Sequence, residues 1–194
     1  MFTTWADCEQ QVKGFSGAVY KSFKTRAEAE SALQSPEQGF LPSQKPPKPQ
    51  PQQILVLPSE CIARSICVDA SCLGNPGDVE YRGVDTQTGE EIFHQSPLPY
   101  GTNNLGEFLA IARGLAYLKE RGLDWPIYSD SRTAMLWVKN RQVRTTLTRS
   151  AKNQEIFELI DRALDWLENN EYRNRILKWD TTNWGEIPAD FGRK

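Results

Sequence analysis

Apolar and polar positions divide the chain into a short patterned N-terminal stretch, a patternless middle and a long C-terminal part in which strand and helix periods alternate. In the first stretch, Thr4 followed three residues later by Asp7 marks a helix start, and Gly14 marks its stop. "AVYKSF" (18–23) alternates as a strand does, and Thr25 with Glu28 forms a capping box ahead of "RAEAESAL". Helix, strand and helix in about 33 residues make a small α+β module, too short to be very stable alone. Residues 35–58 hold seven prolines in 24 positions and no periodic apolar face, which predicts an extended linker.

The remainder reads as alternating α/β. "RSICVDASC" is a mostly apolar strand, and "EYRGVDTQTGEEIFHQS" gives two strands around a Thr-Gly turn. "NNLGEFLAIARGLAYLKERG" places Leu105, Phe108, Leu109, Ala112, Leu115 and Ala116 on one helical stripe that ends at Gly122. "PIYSD" is a short strand and "SRTAMLWVKN" a short helix. "NQEIFELIDRALDWLENN" is an amphipathic helix with Ile156, Leu159, Ile160, Ala163, Leu164 and Leu167 inward, and "RILKW" is a last strand. Three strands in hairpin order, then strands separated by helices, predict a five-stranded mixed sheet flanked by helices. The expected organisation is therefore a module over 1–34, a linker over 35–58 and an α/β domain over 59–194.

Composition narrows the function classes. The 194 residues are 39% hydrophobic and carry a net charge of −2. Any nucleic-acid contact must therefore rest on local patches, since a purely electrostatic binder is basic. No run of 18 apolar residues exists to span a membrane, and the polar, acidic start "MFTTWADCEQ" argues against a signal peptide. Cys8, Cys61, Cys67 and Cys72 form no CxxC pair and His94 is remote from them, so no zinc site is expected. Reduced thiols in a cytoplasmic, monomeric protein are the reading that fits.

Four carboxylates stand in marked positions. Asp69 alternates away from a buried strand, and Asp130 ends "PIYSD". The carboxyl edge of an open α/β sheet is where ligands bind. Glu107 lies in the first turns of a helix, near Asn103 and Asn104, and Asp190 stands four residues from the C-terminus. Singly, each is also what a solvated turn or a helix N-terminal charge looks like. Clustered, carboxylates without His or Cys repel one another and require hard cations. Two Mg²⁺ ions cancel that charge and leave room for a substrate phosphate. Held about 3.5–4 Å apart, such ions serve phosphodiester hydrolysis.

"VDASCLGNPG", "GTNNLGEFLAI", "IYSDSRTA" and "WGEIPAD", in that order across nearly all of residues 61–194, resemble type 1 ribonuclease H. The histidine-free ending "KW.T..WGEIPADFGRK" looks like the bacterial branch that carries a hybrid-binding domain. "TW..C..QV.GF.GA.YKSFKT..EAE", within residues 3–33, resembles that viroplasmin-like domain. In the family a further strand precedes the Trp, so the module is expected to be truncated. Its candidate hybrid-binding residues are Trp5, Tyr20, Lys21, Phe23 and Lys24. Aromatics between lysines suit stacking on bases or sugars; Trp5, Phe15 and Tyr20 equally suit a tiny core.

The resemblance implies the ribonuclease H fold and a two-ion Mg²⁺ site in which Mn²⁺ substitutes. It implies endonucleolytic cleavage of RNA in RNA–DNA hybrids, leaving 5′-phosphate and 3′-hydroxyl ends. By it, Asp69 bridges both ions and Asp190 joins on the one that activates water. Glu107 and Asp130 hold the other, near the leaving 3′-oxygen, and Glu107 can also meet a 2′-hydroxyl. The loop "KWDTTNWGEI" contains no histidine, which excludes a histidine proton shuttle there. Glu186, one turn before Asp190 if "EIPADFG" is helical, either tunes metal exchange and product release or is a helix N-terminal charge.

Hybrid specificity needs 2′-hydroxyls on one strand and deoxyribose on the other. In "SCLGNPG", Gly74 and Gly77 permit close backbone approach, and Asn75 offers donors and acceptors. Thr102 and Asn104 suit a phosphate at a helix start, and Asn103 can reach bases. The resemblance adds Thr145 to that DNA-phosphate pocket. "KNRQVRTTLTRSAK" (139–152) has five basic residues and no acid, a local positive run. Trp137 serves either a DNA sugar or the core, and Arg132 either adds a phosphate contact or disturbs base contacts. Two rivals remain: a DNA-acting nuclease or transposase of the same fold, and a non-catalytic binder of hybrid or double-stranded RNA.

Overall fold

The computed structural model describes residues 2–4, 7–9, 22–23, 25–34 and 55–192. The chain divides into two compact units, Met1–Pro51 and Gln52–Lys194. In the first, Thr4 Oγ1 accepts the Asp7 amide and donates to Asp7 Oδ2, and residues 7–9 are helical. Helix α1 (Arg26–Gln34) opens on the expected capping box: the Thr25 amide donates to Glu28 Oε2 and the Glu28 amide to Thr25 Oγ1. Trp5, Tyr20, Lys21, Lys24, most of the expected strand and residues 35–54 of the expected linker lie outside the described residues. Phe23 is half-buried.

In the second unit, β1 (Ile66–Gly74), β2 (Gly77–Asp85) and β3 (Glu91–Gly101) form an antiparallel meander. On the other side of β1 lie β4 (Ile127–Ser129) and β5 (Ile176–Lys178), both parallel to their neighbours. The order β3-β2-β1-β4-β5 is the predicted five-stranded mixed sheet. Strand β1 runs two residues further than the sequence pattern suggests, and Asn75 and Pro76 alone make the turn to β2. That turn needs its glycines. Gly74 has φ +96°, and a Cβ on Gly77 would sit 2.0 Å from the Leu73 carbonyl oxygen. Asp69 is consequently mid-strand rather than at a strand end. What ends near it is β4, whose pairing with β1 stops at Cys67–Tyr128.

Alternation along β1 gives the sheet two apolar faces. Ile66, Val68 and Ala70 enter the main core, while Cys67 joins Val84, Tyr128, Trp179, Ile187 and Ala189 in a second cluster. Helices α2 (Asn103–Glu120), α3 (Arg132–Asn140) and α4 (Gln154–Asn169) contribute to the main core. Helix α2 is buried at every position from Leu105 to Ala112, not along a stripe alone, because sheet and helices enclose it. It ends as predicted, with Gly122 at φ +64° and the Leu123 amide donating to the Leu118 carbonyl. Helix α4 buries Ile156, Ile160 and Leu167, and Phe157 as well.

Residues 55–62 belong with this unit although composition assigns 55–58 to the linker. The Leu55 amide donates to the Gln87 carbonyl, and the Ile62 amide to the Tyr128 hydroxyl. After helix α5 (Thr181–Trp184), residues 186–190 make a turn closed by the Asp190 amide on the Ile187 carbonyl, so the condition that "EIPADFG" be helical is not met. Pro188 explains this: it lacks an N–H and disfavours helical backbone at Ile187. No helix among the described residues is long and apolar enough to cross a membrane.

Gly106 sets how closely α2 approaches the sheet. A Cβ there would lie 2.5 Å from Val79 Cγ1 and 2.8 Å from Ala70 Cβ. Gly106→Ala is expected to destabilise the chain by about 1–3 kcal/mol in urea unfolding, against the gain in helix propensity. Unchanged stability would mean that α2 does not press on β1 and β2 as closely as these distances require.

Candidate active site

Three elements deliver three acids to one place. Asp69 emerges from β1 beyond its last pair with β4, and continuing that register brings it level with Asp130. Asp130 occupies the junction of β4 and α3, where Ser131 caps the helix by accepting the Ala134 amide at 3.2 Å. Glu107 sits one residue after Gly106, so the close helix–sheet approach carries it to Asp69. One carboxylate oxygen from each of Asp69, Glu107 and Asp130 lies within 4.8 Å of the others. Asp190 lines the same cleft, of about 450 Å³, with Ser71, Cys72, Asn103, Ser131 and Phe191. It stands outside the close trio, with its Oδ2 accepting the Gly192 amide at 2.7 Å.

The trio is electrostatically strained. Burial pushes the Asp69 carboxyl up to about 7, with the charges of Asp130 and Asp190 adding to the effect. Burial also raises Glu107 well above the carboxylate range, reinforced by Asp69 and Asp130. Asp130 is raised by burial too, with Lys178 opposing and Glu186 and Asp190 adding. Glu107 is only 2% exposed, and its Oε2 is buried with no hydrogen-bond partner. Asn103 Nδ2 donates to its other oxygen at 3.4 Å. An orphaned buried acceptor, an all-oxygen donor set and mutual repulsion fit a hard divalent cation.

The remaining candidates are dispersed. Asn75 is exposed at the β1–β2 turn, Thr102 is the half-buried N-cap of α2, and Asn104 is exposed beside it. Arg132 is exposed in the first turn of α3, and Glu186 is exposed on the turn before Asp190. Trp137 goes to the core, 7% exposed, with its ring 6.5 Å from Phe108. Thr145 lines a separate cleft between loop 143–149 and α4, with Arg144, Arg149 and Phe157. In the basic run, Arg149 is engaged by Asp161 through two hydrogen bonds. The four cysteines are free, and burial pushes Cys67 up to about 12.

Two residues near the site escaped the sequence pattern. Arg82 and His94 lie across the sheet from Asp69, in the row Asp69–Arg82–His94. Arg82 reaches the backbone of Ala189 and Asp190, and His94 pairs with Glu80 at 3.1 Å, its ring 6.0 Å from Phe191. Distance along the chain was thus a poor guide to where His94 lies. The two-residue turn at Asn75–Pro76 fixes the Asp69–Arg82 pairing, whereas the Arg82–His94 pairing belongs to the bulged β2–β3 ladder.

An α/β fold with a cluster of carboxylates in its cleft fits a divalent-cation site, and comparison with known proteins narrows the class. The RNase H family description matches residues 63–172, and that of the Ribonuclease H1 N-terminal domain matches residues 1–33. A ribonuclease H from Nitratidesulfovibrio vulgaris is 32% identical over 106 residues, covering 50% of this chain and 67% of that protein. One from Crithidia fasciculata is 61% identical over 33 residues, 17% of this chain and 7% of that protein. Solved structures similar to it include RNase H1 from Halobacterium salinarum NRC-1, with TM-score 0.39 and 18% identity over 61% of this chain and 87% of that one. Another is LC11-RNase H1 in complex with RNA/DNA hybrid, with TM-score 0.36 and 20% identity over 59% and 81%. The chain belongs to the ribonuclease H family.

The raised carboxyls carry a pH signature. The folded chain keeps these protons above the ordinary carboxylate range. For Asp69 this contribution to metal-free stability is full below about pH 4 and is lost as pH rises through about 7; Glu107 and Asp130 act in the same direction. The melting temperature of the metal-free chain is expected to fall between about pH 5 and 8, and Asp69→Asn to flatten that fall. Added Mg²⁺ should raise it more at the upper end. Equal Mg²⁺ stabilisation at both ends would contradict a site that binds through ionised Asp69 and Glu107.

Proposed function

We propose that this chain hydrolyses the RNA strand of RNA–DNA hybrids endonucleolytically, with Mg²⁺ and with Mn²⁺ as substitute, leaving 5′-phosphate and 3′-hydroxyl ends. The observation that carries the reading is the buried trio, with Glu107 Oε2 lacking a hydrogen-bond partner among the described residues. Membership in the ribonuclease H family, and a relative that is itself a ribonuclease H, support the substrate. Asp69, Glu107 and Asp130 are the residues we assign to hold a pair of ions, with Asp190 as the fourth ligand. Bound there, Mg²⁺ supplies charge neutralisation at the scissile phosphate and makes a water nucleophilic.

The chain's own side chains do the rest. Asn103 orients Glu107 through the hydrogen bond to Oε1 and faces the cleft, within reach of a base or 2′-hydroxyl. Asn75 and its flanking glycines present backbone and amide groups to the minor groove. Thr102 and Asn104 offer donors to a DNA phosphate, and Thr145 is the residue we assign to complete that phosphate pocket. Arg132 and the run 139–152 supply positive charge that the whole chain lacks. Trp137 supports this surface from within the core. The N-terminal unit, through Trp5, Tyr20, Lys21, Phe23 and Lys24, adds hybrid affinity outside the cleft. Four free thiols suit a cytoplasmic monomer.

One sequence presented as RNA–DNA, RNA–RNA, DNA–DNA and single-stranded RNA, with and without Mg²⁺, tests the reading. Cleavage is expected of the RNA–DNA form alone, and only with Mg²⁺. Asp69→Asn should lower kcat by at least about 1,000-fold while leaving hybrid binding in place. A chain that binds hybrid and never cuts it in Mg²⁺ or Mn²⁺ is a binding protein instead. Glu186 adds to the negative field at Asp130. Glu186→Gln should therefore slow turnover more than it weakens hybrid binding, and unchanged kinetics across a Mg²⁺ titration would remove Glu186 from the reaction.

A further inference from the structure

Asp190 sits in a stretch with little regular structure of its own. Residues 186–192 contain no strand or helix, and one turn bond, Asp190 amide to Ile187 carbonyl, closes them. Upstream, the stretch is anchored by apolar contacts. Trp179, Trp184 and Tyr128 stack edge to face at 5.1–6.1 Å, and Ile187 and Ala189 are buried. The buried residues of that cluster end at Ala189, one residue before the acid, and beyond it the Phe191 ring lies 6.0 Å from His94.

Arg82 takes over at that point. From the middle of β2 its Nε donates to the Ala189 carbonyl at 2.8 Å and its Nη2 to the Asp190 carbonyl at 2.6 Å. Its guanidinium covers the Phe191 ring at 4.7 Å, and its Nη1 lies 3.7 Å from Glu91 Oε2. The side chain therefore grips three consecutive residues centred on Asp190. A planar fork matches this task and an ammonium does not. Arg82 is also the direct cross-strand partner of Asp69, so the grip is referenced to the strand that carries the central acid.

We propose that Arg82 is a positioning residue: it fixes the backbone of Asp190 relative to Asp69 and so completes the cation site. This deepens, and rests on, the metal-dependent reading above. Arg82 touches neither substrate nor ion in this scheme. It acts through the carbonyls of Ala189 and Asp190.

The test uses the full chain, with Mg²⁺ alone as the probe, and the variants Arg82→Ala and Arg82→Lys. Mg²⁺ binding by calorimetry, without nucleic acid, is expected to weaken about tenfold or more in both. Amide exchange at Asp190 and Gly192 should accelerate by at least about tenfold, with the β1–β2 ladder unchanged. On hybrid, kcat should fall, recover as Mg²⁺ is raised, and leave KM nearly constant. Asp190→Asn added to Arg82→Ala should cost far less than it does alone. If Arg82→Ala does not fold, Arg82→Lys carries the test. Native Mg²⁺ affinity and native exchange in a folded Arg82 variant would overturn the proposal, even if the wild-type chain cuts hybrid normally. Loss of both in a chain that cuts no nucleic acid would uphold the positioning role and overturn the nuclease reading instead.

Discussion

Three carboxylates held within 4.8 Å of one another, in a largely desolvated cleft, are the constraint on which the second unit depends. Without a cation this arrangement opposes folding, since burial and like charge both favour the protonated acids. It persists because each acid is borne by an element fixed for other reasons. Ile66, Val68 and Ala70 lock β1 into the main core, Gly106 seats α2 against β1 and β2, and Ser131 caps α3 directly after Asp130. Stability thus comes from apolar packing beside the cleft, and the strain sits where a ligand would relieve it.

The site is built where two apolar faces meet. Glu107 arrives from the helical layer over one face of β1, whereas Asp190 arrives from the aromatic cluster that includes Tyr128, Trp179 and Trp184. Asp69 sits on the strand between them. Because β4 pairs with only two residues of β1, the sheet is open beside Asp69, and acids from both layers can face one another there. A longer β4 would close that opening with backbone. The shortness of β4, which weakens the sheet locally, makes room for the cleft.

Much of this was legible in the sequence, and the misses share a cause. Helix and strand periods gave the elements, and the "GTNN" and "YSDS" contexts placed Glu107 and Asp130 at element junctions, because caps and apolar stripes are local signals. Cross-strand registry is not local. The expected strands stop at Cys72 and resume at Glu80, where the fold has only the Asn75–Pro76 turn, and this hid the pairing of Asp69 with Arg82. Pro188 was visible, yet "EIPADFG" was allowed to continue as helix against the restriction a proline imposes on its predecessor. The even choice for Trp137 fell to the core because α3 turns that face onto Phe108, which depends on how α2 and α3 pack and not on the residue.

The use of nearby cations separates a metal site from a network of ion pairs. Two basic residues, Lys178 and Arg82, stand on the strands that flank the site. Lys178 acts on Asp130 through space, yet its Nζ donates to the Trp179 carbonyl at 2.5 Å. Arg82 stands directly across from Asp69 and spends its donors on the carbonyls of Ala189 and Asp190. Had either cation closed onto a carboxylate, the cluster would satisfy itself and a divalent ion would have to displace a bound side chain. With their hydrogen bonds on backbone oxygens, Lys178 only partly offsets the charge at Asp130, and Arg82 holds the segment that carries Asp190. Preorganisation of that kind lowers the cost of gathering like charges before an ion binds.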